Sequence, residues 1–253
     1  MRNSLVRISS SERLDKTNPT TNFTVAMGND SYMGKITSFA VKEVCIPNTS
    51  YNINATNNVL YLDNQEGTEY IITIPPGQYS QSDLFAWLNN VSNNPYFSIS
   101  QDPITKKYNC TKISLGIYQF SIITTQVNAF NGFLGLNTNV ALEITVGTQL
   151  PNLPDLSGLR NFYVCSNTLG DGHAMISPTL PKFSCISVVP NEVPFGSINF
   201  YRANEQELET IAFPSQLHGK CCSYVDLQLR DLNGGIVDLN GLNWTLILKV
   251  FYH

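Results

Sequence analysis

Apolar and polar positions alternate along most of this 253-residue chain in short runs, separated by Asn, Gly and Pro. A period of two sends every second side chain to one face, which is the pattern of a half-buried strand. Runs of this kind occupy residues 4–9, 22–27, 38–46, 59–63 and 70–74, and again 96–100, 107–115 and 118–123. Six more follow at 141–146, 161–166, 183–190, 197–203, 223–231 and 245–252. β-Branched and aromatic residues dominate them, and turn residues punctuate them. In SYVDLQLRD, Val225, Leu227 and Leu229 share one face, which predicts an antiparallel strand with one buried side. The final run, TLILKVFY, reaches almost to the last residue and is expected inside a sheet. The chain reads as all-β, with too many strands for one simple sandwich.

One stretch breaks the pattern. In IPPGQYSQSDLFAWLNN, residues 74–90, a Pro-Pro-Gly turn leads to Ser80-Gln81-Ser82-Asp83, a capping-box spacing. Leu84, Trp87, Leu88 and Val91 follow at i, i+3, i+4 and i+7, so a short helix with one apolar stripe is predicted. A second helical turn is expected over 126–134, where Val127, Phe130 and Leu134 recur and Gly135 offers a C-cap. Three strand-like runs lie between the two. Residues 75–140 therefore read as a small α+β module inside a β chain, with 1–74 and 141–253 forming the rest.

Composition narrows the function. Charged residues are 13% of the chain, about half the usual share, and Asn, Ser and Thr take their place. Such a surface desolvates more cheaply than one of Lys and Glu, which suits subunit packing and also suits lectins and adhesins. The net charge is −4 and no basic run exceeds Lys106-Lys107, so neither nucleic acid nor an acidic membrane is an expected partner. No window approaches the roughly 18 apolar residues of a membrane span, and the polar start, MRNSLVRISSSERLDKTNPTTN, does not read as a secretory signal. Six cysteines, at 45, 110, 165, 185, 221 and 222, sit in strand-like runs without metal spacing. Buried free thiols of a reducing compartment are the expectation, rather than a disulfide framework. Sequons such as Asn22-Phe23-Thr24 and Asn243-Trp244-Thr245 fall within the chance rate of an Asn- and Thr-rich chain.

No catalytic constellation emerges. His173 lies in a Gly-rich loop, His218 stands near Cys221 and Cys222, and His253 ends the chain. A His218–Cys221 pair lacks an orienting Asn or Asp, and as metal ligands these residues lack a fourth partner. Glu205, Glu207 and Glu209 alternate as a solvated face, and Asp231-Leu232-Asn233-Gly234-Gly235 reads as a turn rather than a calcium loop. Phosphate-loop, nucleophile-elbow and zincin motifs are missing from the sequence. No catalytic, cofactor or metal site is expected.

The order of segments carries a resemblance. NFTVAMGN, then VKEVCIPNTSYNI at 41–53, ITIPPGQYSQSDLFAWLN, FLGLN at 133–137 and the tail LQLRDLNGGIVDLNGLNWTLILKVFY run in sequence. Together they resemble the penton (vertex) proteins of icosahedral double-stranded DNA viruses of the virophage and polinton-like type. That resemblance implies a single jelly roll split by an outer inserted domain, a homopentamer closing the fivefold vertex, and a neighbouring major capsid protein as partner. It also implies a possible receptor or spike on the outer domain, assembly inside the host cell and no cofactor. The first 20 or so residues, with Arg2, Arg7, Arg13 and Lys16, would be an arm towards neighbouring capsomers or an ordinary chain end. Similar motifs occur in minor capsid and fibre-like proteins, so a receptor- or glycan-binding jelly roll stands second, with Tyr79, Tyr96 and Tyr118 as stacking candidates. An enzyme stands third.

Overall fold

A computed structural model describes residues 2–27, 36–63, 69–113, 120–123, 131–136, 142–144, 147–170, 184–204, 210–212 and 224–252. The chain divides into two compact units, the first made of Met1–Ser50 and Leu159–His253, the second of Tyr51–Gly158.

Eight strands form the body of the first unit. They are β1 (Arg2–Ser9), β2 (Asn22–Ala26), β3 (Ile36–Pro47), β11 (Asn161–Cys165), β12 (Cys185–Pro190), β13 (Ile198–Arg202), β15 (Tyr224–Arg230) and β16 (Thr245–Tyr252). One sheet has the order β1-β16-β3-β13, with the two-residue β14 (Ile211–Ala212) also on β3; the other has the order β12-β11-β15-β2. All pairings in both sheets are antiparallel. In chain order the strands fall in the first sheet, second, first, second, second, first, second, first. That is the winding of a jelly roll: each sheet draws its strands from both halves of the unit.

Alternation produces the core. Val225, Leu227 and Leu229 of β15 are fully buried, Leu246, Leu248 and Val250 of β16 are buried, and the two sheets share one apolar cluster. The last strand lies in the sheet interior between β1 and β3. Trp244, just before it, is 1% exposed. Its indole N–H donates to the Thr20 carbonyl at 2.8 Å, and its ring meets Phe23 edge-on at 5.8 Å.

The first residues do not extend away as an arm. All eight residues of β1 pair with β16, and Arg13 donates to the carbonyls of Ser10 and Asn18, each at 3.0 Å, tying the following turn to itself. Pairing with a core strand outweighs the freedom expected of a polar chain end.

The second unit holds a four-stranded sheet, β5-β4-β8-β9, and a three-stranded one, β10-β7-β6. The strands are β4 (Val59–Asp63), β5 (Glu69–Thr73), β6 (Phe97–Gln101), β7 (Tyr108–Lys112), β8 (Phe120–Ile123), β9 (Leu142–Ile144) and β10 (Thr148–Gln149). Two helices join them, α1 (Gln81–Leu88) and the single turn α2 (Asn131–Leu134). Here the expected boundaries need correction. The 59–63 and 69–73 strands, placed with the jelly roll by sequence, pair with each other, and 59–63 also pairs with 120–123. The unit changes therefore fall at 50/51 and 158/159, not near 75 and 140.

Helix α1 starts as expected. The Ser80 hydroxyl accepts from the Asp83 N–H at 3.2 Å while the Asp83 carboxylate accepts from the Ser80 N–H at 3.1 Å. The Ser80 hydroxyl also donates to the Asp83 carboxylate at 2.6 Å, and this bond first, with the one from the Ser80 N–H, holds the Asp83 carboxyl below its ordinary pKa. Leu84 and Leu88 are fully buried and Trp87 packs beside them, but the helix stops at Leu88 and Val91 is 60% exposed. The stop has a cause. The amide of buried Asn94 donates to the carbonyls of Leu88 and Phe97, at 2.9 and 2.7 Å, and turns the chain into β6. Of the second expected helix only 131–134 is described; Val127 and Phe130 lie outside the described residues.

Candidate interaction surface

The surface follows from the same alternation that builds the core. In β13, Asn199 and Tyr201 turn inward, so Ile198, Phe200 and Arg202 turn outward. Ile198 is 63% exposed and Phe200 is 58% exposed. The register sets Phe200 opposite Cys45 and Arg202 opposite Glu43 on β3. The Arg202 guanidinium makes bonds of 2.6 and 2.8 Å to one Glu43 oxygen and sits 5.5 Å over the Phe200 ring. Across β3, Ile247 of β16 faces Glu43, and beyond it Arg7 and Leu5 of β1 face Ile247 and Lys249. Leu5 is 64% exposed, and the Lys249 ammonium lies 5.8 Å from the Phe251 ring.

One face of the first sheet thus carries an aromatic, an arginine and aliphatic residues on neighbouring strands, with a cation and an anion already paired. Aromatics and Arg are the groups that anchor protein interfaces, and a paired charge desolvates more cheaply than a lone one. Among the described residues β13 is also an end strand of its sheet. An unpaired strand edge beside exposed apolar side chains is a place where another chain can dock.

The titratable groups elsewhere have structural work. Asp226, on β15, accepts from the Ser166 hydroxyl at 3.2 Å and from the N–H groups of Asn167 and Thr168 at 3.0 and 2.7 Å, and also from the Thr168 hydroxyl. Burial pushes its pKa up, but these four bonds outweigh it and the carboxyl titrates below its ordinary value. Cys165 and Cys185 face each other across β11 and β12. The neighbouring thiol, aided by burial, raises the pKa of Cys165, while contact with Cys165 eases the loss of the Cys185 proton. Cys110 is enclosed in the second unit and burial pushes its pKa up to about 12.

The sequence candidates resolve as follows. Tyr79 and Tyr96 both pack against the core of the second unit; the Tyr79 hydroxyl donates to the Pro75 carbonyl at 2.9 Å, and Tyr96 lies 4.9 Å from Tyr70. Both rings are half-buried, and these contacts take up part of their surface. Tyr118, the three histidines, Cys221, Cys222 and the 205–209 glutamates lie outside the described residues. Asp231 and Gly235 close the expected turn, with Gly234 at φ 82°. The four described cysteines are free thiols. Among the described residues no three His, Cys, Asp or Glu side chains are grouped to hold a metal, and no helix is long and apolar enough to cross a membrane. Sequence reasoning missed the β13 row, because alternation alone does not say which of two faces meets the core.

Three comparisons set the chain beside known proteins. A model described as "Family of unknown function (DUF5901)" matches residues 3–214. No curated protein matches the chain. The crystal structure of the mavirus penton protein shares its fold over 100% of both chains, with a TM-score of 0.51 and 9% identity. A looser likeness, with a TM-score of 0.47 and 12% identity, is to a chain of the Sputnik virophage solved by cryo-EM at 3.5 Å, over 99% of this chain and 98% of that one.

Proposed function

The chain belongs to the DUF5901 family, and we propose that it is a structural capsid protein whose five copies close the fivefold vertices of an icosahedral double-stranded DNA virus. The observation that carries this reading is the jelly roll interrupted between β3 and β11, in a fold shared end to end with the mavirus penton protein. A ring of five needs two different lateral faces that meet head to tail and close. The Ile198–Phe200–Arg202 row supports one such face, because it is apolar, carries a paired ion and borders an open strand edge. The second unit is the outward-facing insertion, available to a receptor or a spike. A neighbouring major capsid protein surrounds the ring in the virion, which assembles inside the host cell.

The test is the mass of the purified chain by light scattering over a concentration series, with imaging of the same sample. A ring weighs about five times the 28.1 kDa chain. Phe200→Asp sets an unpaired carboxylate in the contact and should return the ring to monomers without unfolding it, since Phe200 is exposed. A stable trimer would refute the vertex assignment, and a monomer that binds glycans would favour the attachment-module reading.

A further inference from the structure

The two sulfurs that face each other in the second sheet of the jelly roll make a site that the capsid reading does not use. Cys165 and Cys185 are direct partners in the register of β11 and β12. The Ser166 N–H donates to the Ser184 carbonyl at 3.0 Å. That bond flanks 165/185 as the ladder bond beside a non-hydrogen-bonded pair does. At such pairs the Cα atoms stand about 4.5 Å apart and the side chains approach most closely. A disulfide requires Cα atoms about 4.4–6.8 Å apart, the range to which a direct cross-strand pair belongs; here the pair stands beside a register shift between Val164 and Cys165.

The side chains share a face as well. Phe162 and Val164 point into the jelly-roll core, whereas Cys165 and Cys185 form a separate small cluster with Tyr163. Both thiols are free. Among the described residues β12 ends its sheet and has one partner strand, β11. An end strand opens at lower cost than a central one, which admits a small oxidant to thiols that are 2% and 6% exposed. Contact with Cys165 also favours the thiolate at Cys185, the better starting nucleophile.

We infer that Cys165 and Cys185 are a peroxide-sensitive dithiol whose disulfide staples end strand β12 to β11. The Cys185 thiolate attacks one oxygen of hydrogen peroxide, the O–O bond breaks, and a sulfenic acid and hydroxide result; the hydroxide takes up the proton that Cys185 gave up, as water. The Cys165 sulfur then attacks the Cys185 sulfur, the S–O bond breaks, and its proton leaves with that oxygen as a second water. Two thiols and one peroxide give one disulfide and two waters, with two electrons passing to the peroxide. The other described cysteines lack such a neighbour: Cys45 belongs to the first sheet, and Cys110 is enclosed in the second unit. The bond would close the 165–185 segment covalently and remove freedom from the unfolded chain. The inference holds for the single chain and does not depend on ring formation.

The full chain is treated with hydrogen peroxide, its remaining thiols are alkylated, and it is digested with trypsin without reduction. Cys165 and Cys185 fall in different peptides, 161–182 and 183–202. The expected product is these two peptides joined, lighter by two hydrogens and separated by reductant. The unfolding midpoint of the oxidised chain should rise by about 5–10 °C. Cys165→Ala should remove both the joined peptide and the rise, and should leave Cys185 as the over-oxidised acid. Folded, peroxide-treated protein in which both cysteines still alkylate would overturn the inference. So would Cys185 found joined to any other cysteine.

Discussion

Asp226 offers the sharpest test of how the jelly roll is held. Its carboxylate gathers four donors from Ser166, Asn167 and Thr168, about sixty residues away in sequence, and so fixes the turn that leaves β11. Asp226→Asn keeps the size but turns one acceptor oxygen into an N–H₂ group. The oxygen that accepts from Ser166 and Thr168 can be retained; the one that accepts from the Asn167 N–H at 3.0 Å cannot. A hydrogen bond to a charged group contributes about 1.5–3 kcal/mol, and the remaining bonds lose their charge assistance. Discounted for a half-buried, solvent-screened carboxylate, the loss comes to about 2 kcal/mol.

The two tryptophans make the assay specific: Trp244 is buried in the first unit and Trp87 belongs to the second. In a Trp87→Phe background, urea unfolding followed by fluorescence reports the jelly roll alone, and the midpoint should fall by about 1 M. pH supplies the check on sign. The folded pKa of Asp226 lies below its ordinary 3.8, so its stabilisation is complete well above that value. It is lost as the pH falls through the folded pKa. The gap between parent and variant should therefore be full at neutral pH and should close in strong acid. Equal stability at neutral pH, or a gap that persists in strong acid, would refute the reasoning.

Three further outcomes follow from the second unit, each read from the Trp87 transition in a Trp244→Phe background or by calorimetry. Among the described residues the buried Tyr108 hydroxyl has no hydrogen-bond partner, and burial pushes its pKa up to about 12; Tyr108→Phe should stabilise the unit by about 1 kcal/mol, and a lowered midpoint would show that the hydroxyl is partnered. Gly135 adopts φ +71°, and a Cβ there would stand 2.3 Å from the Asn152 carbonyl oxygen, so Gly135→Ala should cost about 2 kcal/mol or more. Ser80→Ala removes the capping box of α1 and should cost about 1 kcal/mol, with Ser80→Asp restoring most of it.

What the sequence made legible was what repeats locally. The 59–63 and 245–252 runs emerge with the boundaries read from alternation, and the capping box at Ser80 forms as its spacing predicts. What it hid was pairing at a distance. Strands β4 and β5 carry the same signature as jelly-roll strands, and only the register of β4 with β8 and of β5 with β4 assigns them to the second unit. β10 and β14 are two residues each, too short for any period to show. Asp226 looks like an ordinary polar position of an alternating strand until the 166–168 turn folds over it. Cys165 and Cys185 likewise read as scattered thiols until the register sets them face to face. The exposed β13 row was hidden for a related reason: Ile198 and Phe200 satisfy a strand pattern equally well inside or out.

The neck of the second unit has its own consequence. Asn52, just after the chain enters that unit, donates to the Leu156 carbonyl at 3.1 Å, and a Cβ on Gly158 would lie 3.4 Å from the Asn52 Cα. Entry and exit are therefore in van der Waals contact, and the 108 residues between them close on themselves like a hairpin of two. Such a junction makes the insertion a cassette. Its contents can lengthen, shrink or be exchanged for any domain whose ends meet, while β3 and β11 remain joined across the same short gap. The insert can then vary without any change to the jelly roll, and an engineer can graft at residues 51 and 158 for the same reason.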